Sequence, residues 1–197
     1  MATPADRRTG SDTAGPASGR RTGTLQAALG VTAFSLTFPA TAWGLEGFGP
    51  WSLVAVRCVL ASVIAGTCLL ALRVPVPRRG HWAGLAVVAA GVVVGFPLLS
   101  TLALRTSTTA HAAVVVGLLP LTTALLSALR MGNRPSRTFW AAALAGAGAV
   151  AAFTVQQSGG ALTTADLYLF GALLVCAAGY TEGGRLARIM PGWQVIG

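Results

Sequence analysis

The sequence predicts an all-α polytopic membrane protein with six transmembrane helices, and three observations predict it. Of 197 residues, 54% are apolar and only 10% are charged, against roughly a quarter charged in an ordinary soluble domain. Mean hydropathy is +0.69. Fourteen arginines, no lysine and five acids leave a net charge of +9, and these charges punctuate long apolar runs. A nucleic-acid-binding protein would instead gather its basic residues on one continuous solvated face. Cys58, Cys68 and Cys176 all lie inside apolar runs without a C-x-x-C pair. They read as packing residues and not as a disulfide or metal framework.

Residues 1–24 are rich in Thr, Ser, Gly, Ala and Pro and hold Arg7, Arg8, Arg20 and Arg21, which predicts a disordered cytoplasmic tail. A secretory or twin-arginine signal is rejected because the following apolar run is too long and more spans come after it. A hydrocarbon core about 30 Å thick needs about 20 helical residues. Six segments meet or approach that length: Leu25 to Gly44, Trp51 to Leu72, Trp82 to Thr101, Ala110 to Leu129, Thr138 to Val155, and Leu167 to Leu186. Their apolar residues run continuously rather than alternating, so they are helices and not barrel strands.

Arginine accumulates in short cytoplasmic loops. With the tail inside, twelve of the fourteen arginines fall on cytoplasmic segments, while the outer loops hold Arg105 with Glu46 and Asp166. Both termini are therefore expected in the cytoplasm. Gly91-x-x-x-Gly95, Ala145-x-x-x-Ala149 and Gly179-x-x-x-Gly183 place small residues one turn apart, where helix backbones can approach closely.

No catalytic constellation is found. Gly146 to Ala151 fits a loose dinucleotide fingerprint but lies within a span, and no acid follows it at the required distance. His81 and His111 have no carboxylate beside them at ligand spacing, so neither a metal nor another cofactor is expected. The informative residues are polar groups and prolines at membrane depth. Arg57, six residues into the second span, lies about 9 Å below the outer boundary. It either snorkels towards Glu46 and the headgroups or faces a water-filled cavity and counters an anionic group of a solute. Glu182, an acid within a span, either pairs locally with Arg185 or Arg188 or serves as a proton-titrating or cation-binding carboxylate. Trp43, His111 and Tyr180 are interfacial anchors or cavity lining. Pro39, Pro97 and Pro120 interrupt three spans, as broken helices do at transporter substrate sites.

The chain resembles the EamA-type transporters of the drug/metabolite transporter superfamily. The resemblance is carried by Phe34 to Trp43, by Pro50 to Arg57, by Ala103 to Ala110 leading into Pro120 to Ala124, and by the loop Met131 to Ser136. It implies ten spans in two five-span units of inverted topology, with a site near the midplane. Residues 25–156 would form the first five-helix repeat. Residues 157–197 would supply an outer loop and the first helix of a second, incomplete repeat, with Pro191 to Gly197 resembling the beginning of a seventh span. Asn133 stands where the family often has Glu, and the last four family spans are missing, so the expected molecule is either a C-terminally truncated or fragmentary transporter, or one that must form a homodimer or pair with a partner half-transporter.

The implied function is an exporter or permease of the inner membrane, moving small organic metabolites, amino acids or drug-like compounds by alternating access. Arg57, Glu182, Trp43, His111, Tyr180 and Pro120 are its candidate substrate-binding or coupling residues. The alternative is a membrane-embedded structural or interaction subunit that transports nothing. A four-span multidrug-resistance dimer is disfavoured because the first span here carries no charge, and an enzyme is not expected.

Overall fold

The computed structural model describes residues 16–132, 135–157 and 163–196, and among these all regular structure is helical. The chain divides into two units, Met1–Thr37 and Phe38–Gly197. The first contains α1 (Pro16–Ser35). This helix takes in residues 16–24, which the composition assigned to a disordered tail. Proline at the first helical position is pre-organised for a helix start, which accounts for the earlier beginning. Residues 1–15 lie outside the described residues, as does Asn133.

The second unit holds the remaining helices. These are α2 (Thr37–Gly47), α3 (Pro50–Ala71), α4 (Trp82–Val88), α5 (Phe96–Ala103), α6 (Thr109–Val116), α7 (Leu119–Met131), α8 (Arg137–Gln157), α9 (Thr164–Leu186) and α10 (Gly192–Ile196). Among the described residues five stretches are long and apolar enough to cross a membrane, and α8 carries a shorter apolar stretch, Arg137–Phe153. The protein is thus a multi-pass membrane protein, and its helices follow the six expected spans.

Each of the three prolines coincides with a break. The first span is interrupted at Leu36, three residues before Pro39. The fourth is broken at Gly117 and Leu118, where α6 ends and α7 starts with Pro120 in its first turn. In the third span, α4 passes through a π-helical segment, Ala89–Gly95, into α5. There the Phe96 N–H reaches back five residues to the Gly91 carbonyl. Pro97 has no N–H to give the Val93 carbonyl four residues earlier. The Cys58 thiol of α3 takes that place, donating to Val93 O at 3.4 Å. A cysteine expected only to fill space therefore satisfies an acceptor that a proline released.

The hub of this unit is α9. Half of its apolar stretch is buried, against 6% for α3. It packs against the third span (α4, the π segment and α5) and the fourth (α6 and α7). The core between them gathers Phe96, Ala103, Ala112, Val115, Leu119, Leu169, Ala172, Leu173 and Cys176. Two of the three small-residue motifs operate here. A Cβ on Gly91 would overlap the Val175 carbonyl oxygen, one on Gly95 would lie 3.0 Å from Val175 Cγ2, and one on Gly179 would lie 2.7 Å from Val92 Cγ2. The backbones of the third span and α9 therefore meet at glycines, as expected of helices that associate by close packing in lipid. Ala145 and Ala149 of α8 are exposed instead. Along α3, Val56, Val59, Leu60, Val63 and Ile64 are also exposed, which suits a helix with an apolar face towards acyl chains and would be untenable in water.

Two tertiary contacts set the helix directions. The start of α6 meets the start of α9, and the end of α7 meets the end of α9. The fourth span and α9 thus run parallel. Gly84, at the start of the third span, abuts Glu182 and Arg185 at the end of α9, so the third span runs antiparallel to both.

Candidate functional site

The seam between the fourth span and α9 is closed at each end by an ionisable pair. At one end Thr163 caps α9. Its hydroxyl accepts from the Asp166 N–H at 3.3 Å, and the Asp166 carboxylate accepts from the Thr163 N–H at 2.8 Å and from its hydroxyl at 2.7 Å. This is a reciprocal capping box. It engages only Oδ2. Oδ1 turns to His111 of α6, whose Nε2 lies 2.7 Å away. An ionised carboxylate can only accept, so Nε2 carries the hydrogen. Asp166 is fully buried and His111 nearly so. The imidazole also stacks on Phe153 of α8, with ring centroids 6.4 Å apart, and the His111 N–H caps onto the Thr108 hydroxyl at 3.2 Å. Asp166 was expected in an outer loop and His111 without a carboxylate. The structure instead places Asp166 in the first turn of α9, in contact with that histidine.

At the other end Glu182 is buried and accepts from two arginines. Arg185 donates from Nε to Oε1 at 2.8 Å, and Arg130 of α7 donates from Nε to Oε2 at 3.1 Å. The local partner expected from sequence, Arg185, is present. Arg130 adds a second guanidinium from another helix. Both arginines keep substantial exposure, 65% and 45%, and exposed pairs contribute little. Arg130→Gln is therefore expected to cost under about 1 kcal/mol, since Arg185 still neutralises the acid, and thermal unfolding in detergent would check this.

From His111 to Arg130 is nineteen residues, and from Asp166 to Glu182 is sixteen. At 1.5 Å per residue these are about 28 and 24 Å, close to the thickness of a hydrocarbon core. Between the two pairs the seam is apolar except for hydroxyls. Thr122 bonds back to the Leu118 carbonyl at 3.0 Å, the usual resource of a hydroxyl in a membrane helix. The buried hydroxyls of Thr123 on α7 and Thr181 on α9 meet no such partner.

The other candidates are dispersed. Trp43 is 73% exposed on α2, and Tyr180 is exposed on α9. Arg57 is exposed on α3 and forms no ion pair with Glu46 or another described acid. Pro120 borders an apolar cavity of about 270 Å³ between α7 and α8, with Gly117, Leu121, Phe139 and Ala143. Of the six, only His111 and Glu182 belong to one seam, at its opposite ends. The sequence reading missed Asp166, Arg130, Thr123 and Thr181. One signal was available, because Thr163-x-x-Asp166 ahead of an apolar run is a capping-box pattern. Among the described residues no three His, Cys, Asp or Glu side chains converge as a metal site would require.

Comparison with known proteins agrees with this architecture. The EamA-like transporter family matches residues 21–155. The chain is 45% identical over 168 residues to a Bacillus subtilis (strain 168) protein described as "Uncharacterized transporter YdeK", a match covering 85% of this chain and 58% of that relative. The chain thus spans under two thirds of the length of the curated relative it matches. No solved structure matches it. A family match over more than half of the chain, joined to a multi-pass helical structure with broken spans, establishes that the chain belongs to the EamA-like transporter family.

Proposed function

We propose that this chain is part of a transporter of the inner membrane that moves small organic solutes, such as metabolites, amino acids or drug-like compounds, by alternating access. Membership of a transporter family carries the reading. Three features support it: the breaks at the three prolines, the unpartnered hydroxyls of Thr123 and Thr181 at depth, and a seam closed separately at each end. In this reading residues 25–156 form one repeat and residues 157–197 begin a second, with both termini cytoplasmic. Residues 25–197 supply one part of the cavity, and a second copy, a partner half-transporter or further spans of a longer chain supply the rest. Arg57 counters an anionic solute group as it approaches along α3, while Trp43, Tyr180 and Pro120 border the path. Glu182, held by two guanidiniums, closes the cytoplasmic mouth.

The test is water at depth beside Arg57. In a Cys68→Ala, Cys176→Ala background, a membrane-impermeant maleimide is expected to label Cys58 in sealed vesicles. Radiolabelled amino acids serve as efflux probes, and Arg57→Ala is expected to lower efflux of the acidic ones. An unreactive Cys58 together with no efflux would identify a sealed structural subunit.

A further inference from the structure

We infer that the His111–Asp166 pair is a proton-binding site that controls one end of the seam between the fourth span and α9. The inference rests on the transporter reading and names its coupling ion. The geometry has three parts. First, the pair joins two helices that are 55 residues apart in sequence and otherwise meet through apolar side chains. Second, Asp166 has no spare acceptor capacity towards its own helix, because Oδ2 is occupied by Thr163 and only Oδ1 faces α6. Third, no hydrogen bond to a described residue engages His111 Nδ1, which leaves that nitrogen's lone pair able to take a proton.

The charge count then gives the direction. With a neutral imidazole the pair holds one buried negative charge that its hydrogen bonds and the N-terminus of α9 offset only in part. With a proton on Nδ1 it becomes a neutral ion pair. A buried unpaired charge is costly and a paired, hydrogen-bonded one is much less so. Protonation therefore holds this end shut, and deprotonation favours its hydration and opening. No other described group supplies the missing charge. α5 and α6 bring no further ionisable side chain, and Arg105, which follows α5, is exposed. The charged residue of α8 is Arg137, sixteen positions from Phe153, and α9 offers Tyr168 nearby, with Cys176, Tyr180, Glu182 and Arg185 further along. Glu182 is a poorer carrier by the same count, since two guanidiniums already exceed its charge.

The experiment uses the full chain in proteoliposomes, with the proton as ligand. Cys176 is a built-in reporter, fully buried in the core of this seam ten residues from Asp166. In a Cys58→Ser, Cys68→Ala background, its labelling by a water-soluble maleimide is measured from about pH 5.5 to about pH 8, spanning the ordinary histidine range. Each rate is divided by that of the detergent-unfolded protein at the same pH, which removes the intrinsic ionisation of the thiol. The corrected rate is expected to rise with pH, by up to about tenfold per unit for an opening linked to one proton. His111→Gln keeps a donor to Asp166 but cannot take the proton, and its corrected rate is expected to be flat. In a His81→Gln background, the ¹⁵N shifts of the remaining histidine should change together with the corrected rate. A wild-type rate that is finite but independent of pH, or a His111→Gln rate that still rises with it, overturns the proton site and leaves the transporter reading standing. A rate of zero at every pH, with Cys58 also unreactive, overturns both.

Discussion

Gly91→Ala is expected to lower the unfolding temperature in detergent by about 6–12 °C, the equivalent of about 3 kcal/mol for a chain of this size. The added Cβ meets the Val175 carbonyl of α9, a backbone atom that cannot rotate away. Relief requires the third span and α9 to separate, and α9 is the most deeply buried of the spanning helices. The helices themselves should survive, because each can satisfy its backbone alone in an apolar medium. Far-UV circular dichroism should therefore change little while the unfolding temperature drops. Gly148→Ala is the matched control. Nothing lies within 4 Å of a Cβ at that position, so it should be neutral or slightly stabilising, as alanine is the better helix former. Equal effects at the two positions would show that close approach at Gly91 does not hold the bundle together.

The second large effect is expected at Asp166. Asp166→Ala removes the cap contact worth about 1 kcal/mol and leaves His111 as a buried donor without its acceptor, for about 1–3 kcal/mol more. A total of about 2–4 kcal/mol follows. Thr163→Ala loses the cap hydroxyl but keeps the histidine contact, so it should cost only about 1 kcal/mol. A double-mutant cycle between positions 111 and 166, read by thermal unfolding, isolates the contact between the helices. A coupling near zero would reduce Asp166 to a capping residue.

These positions show what a sequence reveals of such a fold. The spans were legible because their signal is local: continuous apolar runs and arginines at their ends need no knowledge of partners. The breaks near Pro39, Pro97 and Pro120 were legible for the same reason, since a missing N–H acts within four residues. How each break resolves was not. The Val93 carbonyl, four residues before Pro97, takes a hydrogen bond donated by the Cys58 thiol, 35 residues away. The pairs that close the seam join residues 55 and 52 positions apart, and nothing in either local context announces the other half. The identical small-residue spacing at Gly91, Ala145 and Gly179 illustrates the same limit. Spacing permits close approach, but only tertiary position decides whether a neighbour is there, and at Ala145 the side chain is exposed.

The parallel course of the fourth span and α9 has a mechanical consequence. Both of their polar attachments lie across the same seam, one near each membrane face. Axial slippage of one helix past the other by a single turn, about 5.4 Å, would stretch both attachments beyond hydrogen-bond reach at once. Pivoting about either attachment breaks only the other. The pair is therefore stiff in shear and compliant in hinge bending, and its softest displacement is a scissor-like opening that spreads one membrane face while the opposite face stays pinned.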